Sequence, residues 1–220
     1  MNLLPSGQPR WRRRKQARPA EIISAALSVF AEKGFAAARL DEIAARAGVS
    51  KGAVYLYFET KEDLFRAVVH EAVAPNIDAI ETAVAAYEGD FSTLAALIMA
   101  NITRIATGGP VGGVAKMVIG ESRNFPELAK VWHDALVSPA LAVLAGAIAR
   151  AQARGEVKPG DPRAYALGIV SPMLMGVLWR ETFEPVGAPP FDLPALSQQH
   201  LRTVLGGMLT EQVPAAGDQA

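Results

Sequence analysis

Apolar residues recur along this chain at spacings of three and four, and no stretch sustains an apolar–polar alternation, so the pattern predicts an all-α protein. Ile22, Ile23, Ala26, Leu27 and Phe30 form the stripe of a first helix that starts near Pro19 and ends at Gly34. A second helix over 40–47 turns Leu40, Ile43, Ala44 and Ala47 inward and stops at Gly48, where a sharp turn calls for a left-handed residue. Ser50 is a good N-cap for a third helix over 51–57, which Val49 and Val54 anchor to the second. Thr60 with Asp63 makes a capping pair for a fourth over 61–74, and Pro75 kinks or interrupts it before a segment over 77–87.

Beyond Gly89 the same periodicity predicts helices over 91–107, 111–122, 126–153, 161–184 and 194–210, with a bend at Pro139. The separators "TGGPVGG", "SRNFP", "RGEVKPGDP" and "PVGAPPFDLP" are rich in turn residues. Four regions follow: a basic, disordered arm over 1–18, a small helical domain over 19–66, a larger one over 67–212, and a disordered tail over 213–220.

Charge sharpens this division. The 220 residues are neutral overall, but residues 1–66 hold 12 Lys/Arg against 7 Asp/Glu, a net of +5, and the remainder is −5. A basic head on an acidic body suits an anionic partner at one end only. The arm, with Arg10, Arg12, Arg13, Arg14, Lys15 and Arg18, reads either as a solvated tail or as a segment that follows phosphates. The chain has no cysteine, which excludes disulfides, thiolate metal sites and a Cys nucleophile. His70, His133 and His200 stand singly, and "GGPVGGVAK" lacks P-loop spacing, so neither an enzyme nor a metal or cofactor site is expected. With no secretory h-region and no run of about 18 uninterrupted apolar residues, the expectation is a cytoplasmic, nucleoid-associated protein with no membrane partner.

"ARAGVSKGAVYLYFETKEDLF", residues 45–65, carries the chemistry. Two helices joined by a tight Gly-containing turn, with the second short and capped by Ser, make a helix-turn-helix, here about 39–58. In that motif the second helix enters the major groove, so the residues near its start must be small or polar. Lys51 can donate to guanine or phosphate, Gly52 allows close backbone approach, Ala53 can meet a thymine methyl, and Ser50 with the helix start favours phosphate. Tyr55 and Tyr57 either donate to phosphates or simply pack, and Lys61 adds a phosphate donor.

The stretch "GFAAARLDEIAARAGVSKGAVYLYFETKEDLF", residues 34–65, with the preceding "ALSVFAEK", closely resembles the DNA-binding domain of TetR-type transcriptional regulators. The resemblance covers about 50 residues and implies a homodimer whose subunits each join a three-helix DNA-binding head to a larger helical domain for a small effector and for dimerisation. It also implies that Lys51, Gly52 and Ala53 face bases while Tyr55, Tyr57 and Lys61 face phosphates. The family usually has Ser or Thr before the second helix, where this chain has Ala38 and Arg39. Arg39 cannot accept a capping bond; either that helix start is poorly satisfied or Arg39 is itself a phosphate contact.

In the larger half, Met- and Trp-rich apolar positions suit either an ordinary core or a cavity for a hydrophobic effector. The candidate lining residues are Leu97, Asn101, Met117, Phe125, Trp132, His133, Met173 and Trp179. Residues 121–144 are similar to the C-terminal domain of one TetR subgroup, which implies a four-helix bundle between subunits formed by 161–184 and 194–210. Ile169, Leu196, Leu201, Val204, Leu205 and Met208 would then be apolar surface awaiting a partner, with Gly168, Ser171 and Gly176 permitting close approach. The expected partner is a palindromic double-stranded DNA operator from which a small hydrophobic effector releases the protein.

Overall fold

The computed structural model describes residues 18–73 and 75–210. Among them regular structure is helical, apart from one isolated antiparallel bridge between Val157 and Leu209. The expected basic arm and C-terminal tail lie outside the described residues, save the backbone of Arg18.

The head is built from α1 (Arg18–Ala37), α2 (Leu40–Arg46), α3 (Lys51–Tyr55) and the start of α4 (Lys61–Val68). Gly34, at φ 79°, interrupts α1, and Gly48, at φ 66°, makes the turn between α2 and α3, both in the left-handed region that only glycine enters cheaply. The Ser50 hydroxyl caps α3 by accepting from Ala53 N–H, and Thr60 caps α4 by accepting from Asp63 N–H while donating to its carboxylate. Arg39 precedes α2 with no side-chain cap, as its chemistry requires.

The body follows with α5 (Pro75–Ala85), α6 (Phe91–Thr107), α7 (Val111–Glu121), α8 (Pro126–Trp132), α9 (Ser138–Ala153), α10 (Pro162–Thr182) and α11 (Leu193–Met208). Two expected helices are broken by widened, π-helical turns at Val69–Val73 and His133–Val137. The second break falls before Pro139 because a proline ring has no N–H to donate and crowds the carbonyl four residues back, so Ser138 N–H reaches to His133 O instead. The resulting rod over Pro126–Ala153 is long and apolar enough to cross a membrane by length and composition, though most of its apolar window is not buried within the chain. Its apolar residues line a cavity described below.

Pro172 sits inside α10 without breaking it. Proline cannot donate to the carbonyl of Gly168, and His200 on α11 fills that vacancy, its Nε2 lying 2.9 Å from Gly168 O. Because a carbonyl only accepts, Nε2 carries the proton. The small side of Gly176 lets α11 approach, since a Cβ there would stand 2.5 Å from Leu193.

Two apolar cores result, and they do not divide at residue 66. The head core recruits Val114, Met117 and Val118 from α7 and Leu128 from α8, and α1 against α7 is the most extensive helix pairing among the described residues. The body core, built on α6, α9, α10 and α11, buries the polar pair Thr103 and Ser197, with the Thr103 hydroxyl 2.8 Å from Met99 O and 2.9 Å from the Ser197 hydroxyl.

Candidate DNA-binding face and effector cavity

On the outer face of the head, Ser50, Lys51, Gly52, Tyr55 and Tyr57 are exposed, with the tyrosines 47% and 41% accessible despite their size. Large apolar rings left open beside a polar helix start suit a molecule that covers them. A Cβ on Gly52 would meet nothing within 4 Å, so the chain's own packing does not demand glycine there and the bare backbone faces outward. Leu56, 79% exposed between the tyrosines, belongs to the same edge. Its only signal in the sequence is that it is an apolar residue flanked by two aromatics.

Lys51 is held 2.7 Å from the Asp41 carboxylate on α2, and that hydrogen bond keeps Asp41 below its ordinary pKa and raises that of Lys51. Arg39 is exposed and only loosely paired with Asp41 at 4.0 Å. Ala53, by contrast, is buried against the head, which withdraws its methyl from the outer face. Lys61 is also turned inward. Its ammonium donates to the carbonyls of Phe35 at 2.6 Å and of Ala36 and Ala38 at 3.2 Å, and lies 4.4 Å from the centre of the Phe35 ring. These carbonyls follow the Gly34 break, where helical donors are missing, and the ammonium supplies them.

The body encloses a cavity of about 440 Å³ between α6, α7, the α8–α9 rod and α10, within the size range of small-molecule sites. Its wall is almost wholly apolar. Among the described residues, the polar side chains on it are those of Ser171, whose hydroxyl is donated to Leu167 O at 2.6 Å, and Trp132. Ile119, Leu167 and Leu174 line it while remaining about half exposed, so they mark its mouth. One side of α7 faces the cavity through Val111, Gly112, Ala115 and Ile119, and another side completes the head core.

Residues 22–68 match the family model described as bacterial regulatory proteins, tetR family, and residues 86–188 match that of the tetracyclin repressor-like C-terminal domain. The chain belongs to the TetR family. Along nearly its whole length this TetR-type regulator is similar to the fatty acid metabolism regulator protein of Bacillus subtilis, with 28% identity over 198 residues, 88% of this chain and 98% of that protein. A crystal structure of the transcriptional regulator FadR from Bacillus subtilis in complex with stearoyl-CoA superposes with a TM-score of 0.71 at 25% identity, over 86% of this chain and 98% of that one. The SmeT–triclosan complex shares the fold, with a TM-score of 0.72 at 22% identity, over 92% and 97%. As in its relatives, the head is a DNA-binding helix-turn-helix and the chain is a transcriptional regulator.

Of the eight lining residues expected in this TetR-family chain, Trp132 and Met173 lie on the cavity wall. The other six point elsewhere for identifiable reasons. On α6 the face toward the cavity is Ile98, Ile102 and Ile105, which leaves Leu97 56% exposed and Asn101 accepting from Arg104 at 2.7 Å. Met117 is buried in the head core, Phe125 packs on the Phe35 ring at 5.0 Å, and His133 is exposed beside Asp134. Trp179 donates to Pro189 O and packs tilted against Phe183 and edge-on against Phe191. The residues that reasoning missed, such as Ala140, Leu144, Val170 and Val177, sit at helical spacing on α9 and α10 and were legible only as generic core.

The surface expected to await a partner also changes in detail. Ile169, Leu201, Leu205 and Met208 are buried in the chain's own core, and Leu196 and Val204 pack against it. The exposed apolar groups of this region are instead Leu167, Leu174 and Met175 on α10, with Phe183, Val186 and Phe191 after it.

Proposed function

We propose that this regulator is a repressor that reads a palindromic operator as a homodimer and leaves it when an apolar chain, most simply that of a long acyl thioester, enters the body cavity. The observation that carries this reading is the cavity itself. A charged or hydrogen-bonding group drawn into that wall would give up its hydration for few partners, since among the described lining residues the polar ones are Trp132, with its indole N–H, and Ser171, whose hydroxyl proton already goes to Leu167 O and leaves only an acceptor. The effector therefore puts an apolar tail inside, each buried methylene contributing about 0.8 kcal/mol, and leaves its polar end at the mouth beside Ile119, Leu167 and Leu174. The stearoyl-CoA bound by the Bacillus subtilis FadR has that division between tail and head.

On the head, Ser50, Lys51, Gly52, Tyr55 and Tyr57 make the DNA contacts in this reading, with Arg39 at a flanking phosphate; Ala53, which is buried, and Lys61, whose ammonium is bonded to the Phe35 carbonyl, are given structural roles instead. Two heads joined through α10 and α11 would read half-sites about 34–36 Å apart or a multiple of it. The regulator acts on chromosomal DNA in the cytoplasm. The test is an operator selected from random DNA, labelled and held by the protein at fixed salt, to which stearoyl-CoA is added. Release at micromolar concentration is expected, and unchanged binding at saturating ligand sinks the acyl-chain reading.

A further inference from the structure

Beside the apolar packing of α7 and α8 on the head, a carboxylate of the body bonds directly to the head's backbone. Gly34 breaks α1 at φ 79° and ψ 170°, so the chain restarts a turn at Phe35 whose first N–H groups have no carbonyl a turn behind them. Glu121, the last residue of α7, takes both: Oε1 accepts from Phe35 N–H and Oε2 from Ala36 N–H, each at 2.8 Å. It thus caps this turn from 86 positions away in sequence. The approach leaves no spare room, since a Cβ on Gly34 would lie 2.3 Å from Glu121 Oε1. The opposite side of the same segment is fixed by Lys61, and the Phe35 ring is seated on Phe125. Ala38 and Arg39 then lead straight into α2 and the reading helix.

Glu121 is two residues beyond Ile119, which lines the cavity mouth. A displacement of α7 by a cavity occupant would act on the Phe35 and Ala36 amides through these two hydrogen bonds. We propose that Glu121 is the positioning residue that couples the cavity to the head: its two-pronged grip on the Phe35 and Ala36 amides sets the angle of α2 and α3 according to where the cavity places α7. This rests on the reading that a filled cavity lowers operator affinity, and it names the atoms through which it does so.

The test fills the cavity from within the chain. Ala140→Trp adds a ring to the α9 wall, and Ser171→Phe adds one on the α10 wall should the first variant not fold. Operator Kd is measured for the wild type, the filled variant, Glu121→Ala, and the two combined, with melting temperatures alongside. Filling the cavity should weaken operator binding at least about fivefold with Glu121 present and less than twofold without it. Hydrogen exchange of the Phe35 and Ala36 amides should quicken on filling in the wild type and already be fast in Glu121→Ala. Equal losses with and without Glu121, or no loss in either background, overturn the proposal. A merely structural Glu121 would lower stability and affinity together yet leave the filling factor intact, which also overturns it. Stearoyl-CoA run in parallel separates the two readings. If it fails to bind the wild type while the filling factor depends on Glu121, the acyl effector is wrong and the coupling stands.

Discussion

Replacing Lys61 with methionine keeps the apolar stem and removes the ammonium, and it discriminates between two roles for this residue. In the structure the ammonium donates to three backbone carbonyls, the nearest at 2.6 Å, and sits over the Phe35 ring. A hydrogen bond from a charged donor contributes about 1.5–3 kcal/mol net, and the ring contact at a partly exposed site adds about 0.5–1 kcal/mol. Two of the three bonds are long at 3.2 Å and share one side chain, so they are not counted separately. A loss of about 2 kcal/mol follows, which for a chain of this size lowers the melting temperature by about 4–8 °C. Operator binding should weaken as the Phe35–Ala38 segment loosens, but its dependence on salt should keep the same slope, because no phosphate contact has been removed. Calorimetry and fluorescence anisotropy between 50 and 300 mM salt, both about the usual range for such titrations, supply the readings. An unchanged melting temperature with a salt slope reduced by about 0.9 per subunit would refute the inward role and return Lys61 to the phosphates.

Asp41→Asn frees Lys51 from its 2.7 Å ion pair on the reading face, so operator affinity at low salt should rise by up to about fivefold, the scale of an exposed pair; weaker binding would mean that Asp41 aims Lys51 rather than competing for it. Thr103→Val strands the Ser197 hydroxyl in the body core and should cost about 1–3 kcal/mol in denaturant unfolding, whereas Thr103→Val combined with Ser197→Ala should recover much of that loss, and strict additivity of the two single changes would contradict their pairing.

The head was legible because its instructions are local. Gly48, Ser50 and Thr60 each act within three residues of their own position, so the turn, the cap and the helix starts follow from short windows of sequence. The placements that short windows of sequence do not supply depend on distant chain. Lys61 reads as an exposed cation at a helix start until Gly34, far upstream, presents it with bare carbonyls. The cavity was foreseeable as an apolar, Trp- and Met-bearing space, but which side of α6 faces it turns on a rotation of one residue, the difference between Leu97 and Ile98. Pro139 announced a bend; that the helix would widen before the proline rather than at it depends on the carbonyl the ring displaces. His200 looked solitary because its partner, Gly168 O, exists only through a proline on another helix.

That α7 belongs to two cores at once constrains how such a protein can diversify. A substitution on its cavity side, at Ala115 for example, shares a turn with Val114 and Val118, which hold the head together, so a gain in ligand fit there risks the reading surface. The α9 and α10 walls carry no such double duty toward the head. Leu141, Val170 and Leu174 can be reshaped to fit a different occupant without touching any residue of the head core itself. New chemical preferences are therefore cheapest to acquire on the side of the cavity away from DNA, and anyone retuning this chain into a sensor for a different compound would begin the library there.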